Sequence, residues 1–205
     1  MKLLELFSGT KSVGKVAEQL GYEVISLDLK DADINCNILD WDYTTYPVGY
    51  FDVIWSSPPC NTFSRLRNCR IGKHGYTKQS IQDDMHNIGI PILRKTEEII
   101  NYYNPTYYFI ENPQTGLMKE YIDKPYYDVD YCKYSDWGYK KPTRVWTNLK
   151  GFNAKRCERD CVNMNGKKHR IDISCVGGGS NRSMRYRIPP QLIEELFNCM
   201  NLDLR

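Results

Sequence analysis

The stretch LLELFSGTKSVGKVAEQLGYEVISLDLK, residues 3–30, predicts the fold of this chain. A short apolar strand enters a turn around Gly9, an amphipathic helix follows, and a second apolar strand ends in Asp28. The predicted apolar face of the helix consists of Val13, Val16, Ala17 and Leu20. A strand, a glycine turn, a helix and a second strand in this order form a nucleotide-binding unit, so we predict an open, doubly wound α/β sheet.

The glycine turn has two interpretations. Gly9 to Lys15 fits the phosphate-binding pattern GxxxxGK, but Val16 follows where that pattern requires a serine or threonine hydroxyl for magnesium. Asp28 stands about 20 residues after the turn, where an acidic side chain accepts hydrogen bonds from ribose hydroxyls. The sequence therefore favours a ribose-bearing ligand over a nucleoside triphosphate.

A second stretch, FDVIWSSPPCNTFS at residues 51–64, ends a β-branched and aromatic run in two prolines and a cysteine. Proline fixes its own φ and restricts the residue before it, so Cys60 is predicted on a stiff loop just beyond a strand. Open α/β sheets place ligand and active-site groups at such strand ends. Cys60 is therefore a candidate nucleophile; the alternative is a buried structural cysteine in an ordinary turn.

Five segments in this order resemble the cytosine-5 DNA methyltransferase family. They are FSG at 7–9, Asp28, SPPCNTFS at 57–64, IENP at 110–113 and YKKPTRVWTN at 139–148. The resemblance covers residues 1–150 and returns in the C-terminal helix. It implies a Rossmann-like S-adenosylmethionine-dependent methyltransferase sheet with S-adenosylmethionine as the cofactor.

The chemistry of that family explains the residue types. A thiolate adds to C6 of cytosine and makes the ring nucleophilic at C5. Charge then develops at N3 and O2, which a carboxyl group and a guanidinium can stabilise. By the resemblance, the catalytic residues are Cys60, Glu111 and Arg144.

The resemblance also implies cofactor contacts in the first loop, at strand ends and before the last helix. The expected residues are Phe7, Ser8, Gly9, Thr10, Ser12, Val13, Asp28, Leu29, Asn37, Ile38, Pro58, Tyr186 and Arg187. Three departures from the family pattern leave open how the cofactor is bound and even which cofactor it is. Asn37 replaces an adenine-contacting acid, Tyr186 and Arg187 replace an Asn-Ser pair, and Lys140 and Pro142 occupy the earlier positions of the basic motif.

The 205 residues form one domain with enough chain for a sizeable core. We predict a catalytic core at 1–149, a small basic insertion for target recognition at 150–184, and a C-terminal helix returning to the core at 185–205. The loop at 61–79 carries five cations and no acid, and would close over a flipped base, although a charge run is often only a solvated face. The expected substrate contacts are Pro59, Asn61, Ser64, Arg65, Asn112, Lys167, Lys168 and Arg170.

The remaining chain predicts further elements. Residues 80–103 predict a helix kinked or split near Pro91, because proline lacks the N–H of an interior helix position. Pro113 predicts the start of a short helix with Asn112 as its cap. Residues 126–134 and 143–149 predict late strands, residues 188–200 a closing helix, and residues 177–179 a hinge or tight loop.

The eight cysteines point to a reducing compartment. Cys157, Cys161, His169 and Cys175 form a set of three thiols and an imidazole that can hold structural zinc. The other thiols, Cys36, Cys69, Cys132 and Cys199, are predicted to be ordinary reduced cysteines. Without a secretory signal or a bilayer-length apolar run, the chain is expected in the cytoplasm of a bacterium or a phage-infected host.

Two classes of function follow. The first is a small phage or restriction-modification methyltransferase that acts as a monomer, without membrane contact, on a flipped cytosine in double-stranded DNA. RNA or a free pyrimidine nucleotide is an alternative substrate. The second is a non-catalytic nucleic-acid-binding relative. Intact Cys60 and Glu111 favour the enzyme.

Overall fold

The computed structural model describes residues 1–176 and 184–203, apart from the side chain of Cys175. One seven-stranded sheet has the order β3-β2-β1-β4-β5-β7-β6, in which β7 runs antiparallel to both of its neighbours and the other pairs are parallel. The strands are β1 Lys2–Leu6, β2 Glu23–Asp28, β3 Ile34–Asn35, β4 Val53–Ser56, β5 Tyr107–Pro113, β6 Tyr126–Asp130 and β7 Pro142–Thr147. The predicted doubly wound α/β fold is confirmed.

Helices cover both faces of the sheet. They are α1 Ser12–Gln19, α2 Lys78–Asp84, α3 Ile90–Tyr103 and α4 Pro190–Asp203. Helices α1 and α4 pack on the face that carries Leu3, Trp55 and Phe109, and α3 packs on the face of Leu4, Ile54 and Ile110. With both faces buried, the ligand-accessible part of the sheet is the edge where the parallel strands β1, β2, β4 and β5 end.

Helix α1 lies tightly against β1. Val13, Val16 and Ala17 are buried as predicted, but the prediction for Leu20 is wrong: it caps the helix C-terminus and is 44% exposed. A Cβ on Gly14 would lie 2.7 Å from a Glu5 carboxylate oxygen and 3.3 Å from Val24. Gly14 therefore allows the close approach of helix and sheet and lies inside α1, rather than in a phosphate-binding loop.

The predicted split near Pro91 is confirmed. A π-helical turn at Met85–Gly89 separates α2 from α3, and Pro91 lies in the first turn of α3, where its missing N–H costs little. The predicted helix at Pro113 is wrong, because β5 runs through Pro113 and only a 3-10 turn at Met118–Glu120 follows. The late strands are shorter than predicted, the closing helix is confirmed, and residues 177–179 lie outside the described residues.

The insertion forms a small hairpin on the side of the sheet that ends in β6. Strands β8 Met164–Asn165 and β9 Lys168–His169 pair antiparallel, with Gly166 at a φ of 61° in the turn. Asn163 is fully buried, and its side-chain amide donates to the carbonyls of Cys132 and Ser135 and accepts the Gly138 N–H. The hairpin is thereby joined to the β6–β7 connection.

Within the described ranges, every helix is too short or too polar to serve as a membrane span. The longest, α3 and α4, have 14 residues each.

A buried carboxyl group joins β1 to α1. Glu5 accepts the N–H groups of Val13 at 3.2 Å and Gly14 at 3.0 Å, in the first turn of the helix. Burial raises the pKa of Glu5 to about 7, although the two backbone N–H groups act in the opposite direction. Near neutral pH this group therefore binds a proton in the folded chain that it has lost in the unfolded chain.

This difference predicts that the protein loses stability as the pH rises. Because the folded pKa of Glu5 is above the ordinary value of 4.5, its contribution is fully present below about pH 4.5 and is lost as the pH rises through about 7. Urea unfolding at pH 5 and pH 8 should show a loss of about 2 to 3 kcal/mol from this group. The Glu5→Gln variant should lack that difference, whereas Glu23→Gln, at an exposed position in β2, should keep it. An unchanged difference in Glu5→Gln would contradict the assignment.

Candidate active site

The loop after β1 is shaped to receive a ligand. Phe7, Gly9 and Lys11 have φ values of 59°, 48° and 53°. The Gly9 N–H donates to one carboxylate oxygen of Asp28 at 2.8 Å, and the other oxygen accepts the Leu29 N–H at 2.7 Å. A Cβ on Gly9 would meet only the Phe7 carbonyl oxygen, at 3.8 Å. The structure thus brings the first loop and Asp28 together, with open space beside Gly9.

Two buried hydroxyl groups at the same edge lack partners. Ser8 follows β1 and Ser56 ends β4, and neither side-chain oxygen has a hydrogen-bond partner within the described part of the chain. Buried polar atoms are nearly always hydrogen-bonded in folded proteins. These hydroxyls therefore fit a polar ligand lying across the ends of β1 and β4.

The segment before α4 returns to this edge. The Ile188 N–H donates to the Ser12 hydroxyl at 3.2 Å, and that hydroxyl also bonds the Thr10 hydroxyl at 2.7 Å. The Arg187 guanidinium lies 3.7 Å from the centre of the Trp137 ring, and Tyr186 is exposed. The structure therefore places Thr10, Ser12 and the 186–188 segment side by side.

The remaining expected cofactor residues differ in exposure. Leu29 and Asn37 are exposed near the end of β2, whereas Ile38 is buried in the core. Val13 is also a core residue, and its N–H is already bonded to Glu5. The structure leaves Val13 without a group to offer a ligand, because the first turn of α1 uses it to pack against β1.

The Cys60 loop is held by the end of β5 and by the turn that comes after this strand. Asn112 donates from its side-chain amide to the Pro58 carbonyl at 2.7 Å, and Leu117 donates its N–H to the Phe63 carbonyl at 2.8 Å. Asn112 is only 1% exposed. Asn112 therefore holds the loop from the protein interior. Its side chain does not reach the surface, where a substrate could contact it.

Two opposite charges, on buried Glu111 and half-buried Lys141, lie close enough to Cys60 to shift the pKa of its thiol. The Oε1 atom of Glu111 accepts the Tyr131 hydroxyl at 2.9 Å and lies 3.6 Å from the Lys141 ammonium. Burial and the Glu111 charge raise the pKa of the half-buried Cys60 thiol, and the Lys141 charge acts to lower it. Burial and Glu111 also raise the pKa of Tyr131 far above its usual range, so its hydroxyl stays a donor. Sequence analysis missed Tyr131 and Lys141.

Arg144 lies on the other face of the sheet. The antiparallel register pairs Glu111 with Val145 and Asn112 with Arg144, and side chains alternate between faces along a strand. Arg144 forms a two-point ion pair with Asp128, at 2.7 and 2.8 Å. The structure therefore does not bring Arg144 to Glu111 and Cys60, and the cation beside Glu111 is Lys141.

Some of the expected substrate contacts are exposed, and others are bound to partners within the protein. Pro59 and Asn61 are exposed on either side of Cys60, and Ser64 is half-buried. Lys167 and Lys168 are exposed at the turn of the β8–β9 hairpin. The other two cations have intramolecular partners: Arg65 pairs with Glu120 at 3.1 Å, and Arg170 donates to the Asp136 carbonyl and the Asn163 side chain at 3.1 and 3.0 Å.

A separate group of metal-ligand side chains lies in the insertion. Cys157, Cys161 and His169 converge as predicted, but the fourth member in the described chain is Cys132. Cys132 is a free thiol, as expected for an ordinary reduced cysteine, but the turn after β6 carries it to the hairpin, which the sequence did not predict. The Cys175 side chain lies outside the described residues, so its predicted role stays a prediction.

Comparison with known proteins finds one strong sequence relative. No family model matches the chain. A probable DNA (cytosine-5)-methyltransferase of Frog virus 3 is 46% identical over 212 residues, which cover 97% of this chain and 99% of that protein.

Solved structures show a similar architecture. The methyltransferase EhMeth of Entamoeba histolytica matches with a TM-score of 0.50 and 16% identity, over 83% of this chain and 57% of the EhMeth chain. At that identity the likeness concerns the fold alone. A DNMT2 mutant of Spodoptera frugiperda matches with a TM-score of 0.45 and 17% identity, over 77% of this chain and 53% of its own.

The charges around Cys60 predict opposite effects of two substitutions on its reactivity. Lys141→Met removes the cation, so the pKa of the Cys60 thiol should rise and its alkylation by iodoacetamide should require a higher pH. Glu111→Gln removes the anion and should shift the alkylation profile to lower pH. Peptide-resolved mass spectrometry across a pH series separates Cys60 from the other thiols. Lys95→Met, on α3 beside Glu98, is the matched control and should change nothing. Identical profiles in all four proteins would rule out this electrostatic coupling.

Proposed function

Because this chain belongs to the cytosine-5 DNA methyltransferase family, we propose that it transfers a methyl group from S-adenosylmethionine to C5 of cytosine in double-stranded DNA, through a covalent bond between Cys60 and the base. The observation that carries the proposal is the proximity of a loop thiol, Cys60, to the ion pair of buried Glu111 and half-buried Lys141. These groups lie at the carboxyl edge of the sheet that also carries the Gly9 loop.

The residues of the first loop fit S-adenosylmethionine. Asp28 can accept hydrogen bonds from the ribose hydroxyls, since each of its oxygens accepts one backbone N–H and retains a second lone pair. The Ser8 hydroxyl, which has no hydrogen-bond partner among the described residues, and the space beside Gly9 suit the rest of the ligand. When bound, the cofactor supplies an electrophilic methyl group.

We assign nucleophilic attack to Cys60. Its thiolate adds to C6 of the cytosine ring, which makes C5 nucleophilic. The raised pKa of the thiol means that the resting side chain is protonated, so the Lys141 charge matters for forming the thiolate. After methylation, loss of the C5 proton to water and release of the thiolate from C6 restore the ring and Cys60.

Glu111 and Lys141 are assigned to the polar edge of the base. Tyr131 and Lys141 both contact Oε1 of Glu111. We assign to the Glu111 carboxylate the uptake of the proton that Cys60 loses and its donation from Oε2 to N3 of cytosine as the sulfur adds to C6; the proton returns from N3 to Glu111 when the thiolate leaves. Lys141 is the cation placed to stabilise charge at O2, the role that sequence analysis had assigned to Arg144. The Arg144–Asp128 pair instead ties β7 to β6.

Duplex DNA is the proposed partner, with the target cytosine flipped out of the stack. A flipped base is needed because C6 is inaccessible to a thiol inside the duplex. The exposed Lys167 and Lys168 and a sequence pI of about 8.3 support contact with the phosphate backbone. The free thiols of the described chain support a reducing cytoplasmic compartment, and the monomeric state stays a prediction.

A non-catalytic nucleic-acid-binding relative is the second candidate. The observation that favours it is the position of the Cys60 thiol, where burial and the Glu111 charge raise its pKa and so act against the nucleophilic thiolate. Turnover by the wild-type protein separates the two candidates.

The covalent step predicts that Cys60→Ser abolishes turnover. Labelled methyl transfer from S-adenosylmethionine should be seen with duplex DNA and should fall by at least about 10³-fold in Cys60→Ser, because a hydroxyl is a far weaker nucleophile. Cofactor binding by calorimetry should change little, since the volumes are similar. Cys69→Ser, at an exposed thiol in the 61–79 loop, is the matched control.

Three further arms make the test decisive. RNA and dCMP run in parallel would reveal another substrate class. Duplex DNA with 5-fluorocytosine at the target should trap a cofactor-dependent adduct on denaturing gels, since fluorine cannot leave as the C5 proton does. Full methyl transfer by Cys60→Ser would remove Cys60 from the mechanism, and an absence of transfer to all substrates by the wild type would favour the non-catalytic relative.

The exposed hairpin lysines predict a change in salt dependence. The double variant Lys167→Gln, Lys168→Gln should bind duplex DNA more weakly, with a salt slope reduced by about two units, close to one per lost phosphate contact. Arg170 is left intact because its guanidinium braces the insertion. The matched control is Lys95→Gln. An unchanged slope in the double variant would indicate that the 61–79 loop, rather than the hairpin, contacts the DNA backbone.

A further inference from the structure

Four metal-ligand side chains meet away from the candidate active site. The Sγ atoms of Cys132, Cys157 and Cys161 and a ring nitrogen of His169 all lie within 4.8 Å of one another. His169 Nε2 is 3.5 Å from the Cys157 sulfur and 3.4 Å from the Cys161 sulfur. In a tetrahedral zinc site with bonds of about 2.3 Å to sulfur and 2.0 Å to nitrogen, the sulfur–nitrogen edge is about 3.6 Å. The two sulfur–nitrogen distances therefore match those of a zinc site, and all four atoms lie close enough to surround one ion.

The four residues come from three separate segments. Cys132 lies in the 3-10 turn Tyr131–Lys133 directly after β6, Cys157 and Cys161 precede β8, and His169 lies in β9. Only the folded chain brings them together. A group bound to all four would join the end of the catalytic sheet to the insertion.

Buried hydrogen bonds hold the ligands in place. The Asp130 carboxylate, fully buried, accepts the Cys157 N–H at 2.7 Å and pairs with Lys140 at 3.1 Å. Asn163 donates to the Cys132 carbonyl at 2.9 Å. Metal ligands are ordinarily fixed by such supporting contacts, which orient them before the ion binds.

The insertion has little apolar core of its own. Among its described residues, the buried apolar side chains are Phe152, Cys157 and Val176. Small segments with so few buried side chains usually need a disulfide or a metal to hold one conformation. The three thiols are free, and a disulfide between any two would leave the third thiol and the imidazole unused.

We infer that Cys132, Cys157, Cys161 and His169 bind one Zn²⁺ ion as a structural site. Three sulfurs and one imidazole nitrogen are a donor set that zinc favours, and four protein ligands leave no open position for a substrate. The ion fixes the β8–β9 hairpin, with Lys167 and Lys168 at its turn, to the end of β6. The site stands apart from methyl transfer, so its test does not depend on activity.

The first measurement is the zinc content of the full-length protein, purified under reducing conditions from zinc-supplemented cells. We expect close to one zinc per chain by mass spectrometry of the metal, and visible absorption of tetrahedral thiolate coordination after exchange for Co²⁺. Cys132→Ser should bind Zn²⁺ at least about 10-fold more weakly. Cys175→Ser and Cys199→Ser are the matched controls and should retain the ion.

Chelation of the wild-type protein tests the site without any substitution, so a folding defect of a variant does not affect the result. Removing zinc should increase hydrogen exchange across residues 150–176 while β1 and β4 stay protected. Protein that takes up no Zn²⁺ under reducing conditions would overturn the inference, as would a disulfide among these cysteines in the purified protein. Full zinc content in Cys132→Ser with loss in Cys175→Ser would overturn the ligand set.

Discussion

The antiparallel pairing of β7 with β5 is the constraint on which both sites of this protein depend. Because β7 inserts between β5 and β6, the chain must leave β6 at one end of the sheet and return along residues 131–141. That connection delivers Tyr131 and Lys141 to Glu111, and it delivers Cys132 to the hairpin of the insertion. A shift of β7 by one residue would turn every β7 side chain to the opposite face and displace the connection that ends at Lys141.

Opposing effects act on the pKa of Cys60 in the candidate active site. Burial and Glu111 both act against the Cys60 thiolate, and Lys141 is the cation that favours it. Such an arrangement keeps the half-buried Cys60 thiol protonated until its surroundings change, which limits its side reactions. The Asn112 side chain, bonded to the Pro58 carbonyl from the other face of β5, holds the loop so that these weak electrostatic effects act at a defined distance.

The insertion is attached by polar contacts rather than by an apolar core. Asp130 and Asn163 are both fully buried, and they bond to backbone groups beside the cysteine–histidine cluster. Buried polar groups cost free energy unless they are paired, so this arrangement specifies one geometry for the hairpin. Arg170 belongs to the same hydrogen-bond network. Although it is an exposed basic residue, it therefore stabilises the insertion.

Sequence alone determined many of the helices and strands and several of the residues at the carboxyl edge of the sheet. Apolar periodicity and glycine, proline and cysteine positions predicted β1, α1, the split near Pro91, the loop with Cys60 and the strand that ends in Asp28, because each depends on neighbours within about 20 residues. Only the tertiary structure decided that Lys141, rather than Arg144, lies beside Glu111, and that Cys132 joins Cys157, Cys161 and His169. Those outcomes depend on the register of β5, β6 and β7 and on a connection between segments far apart in the chain. Local pattern carries no information on either, since a strand keeps the same alternation whichever register it adopts.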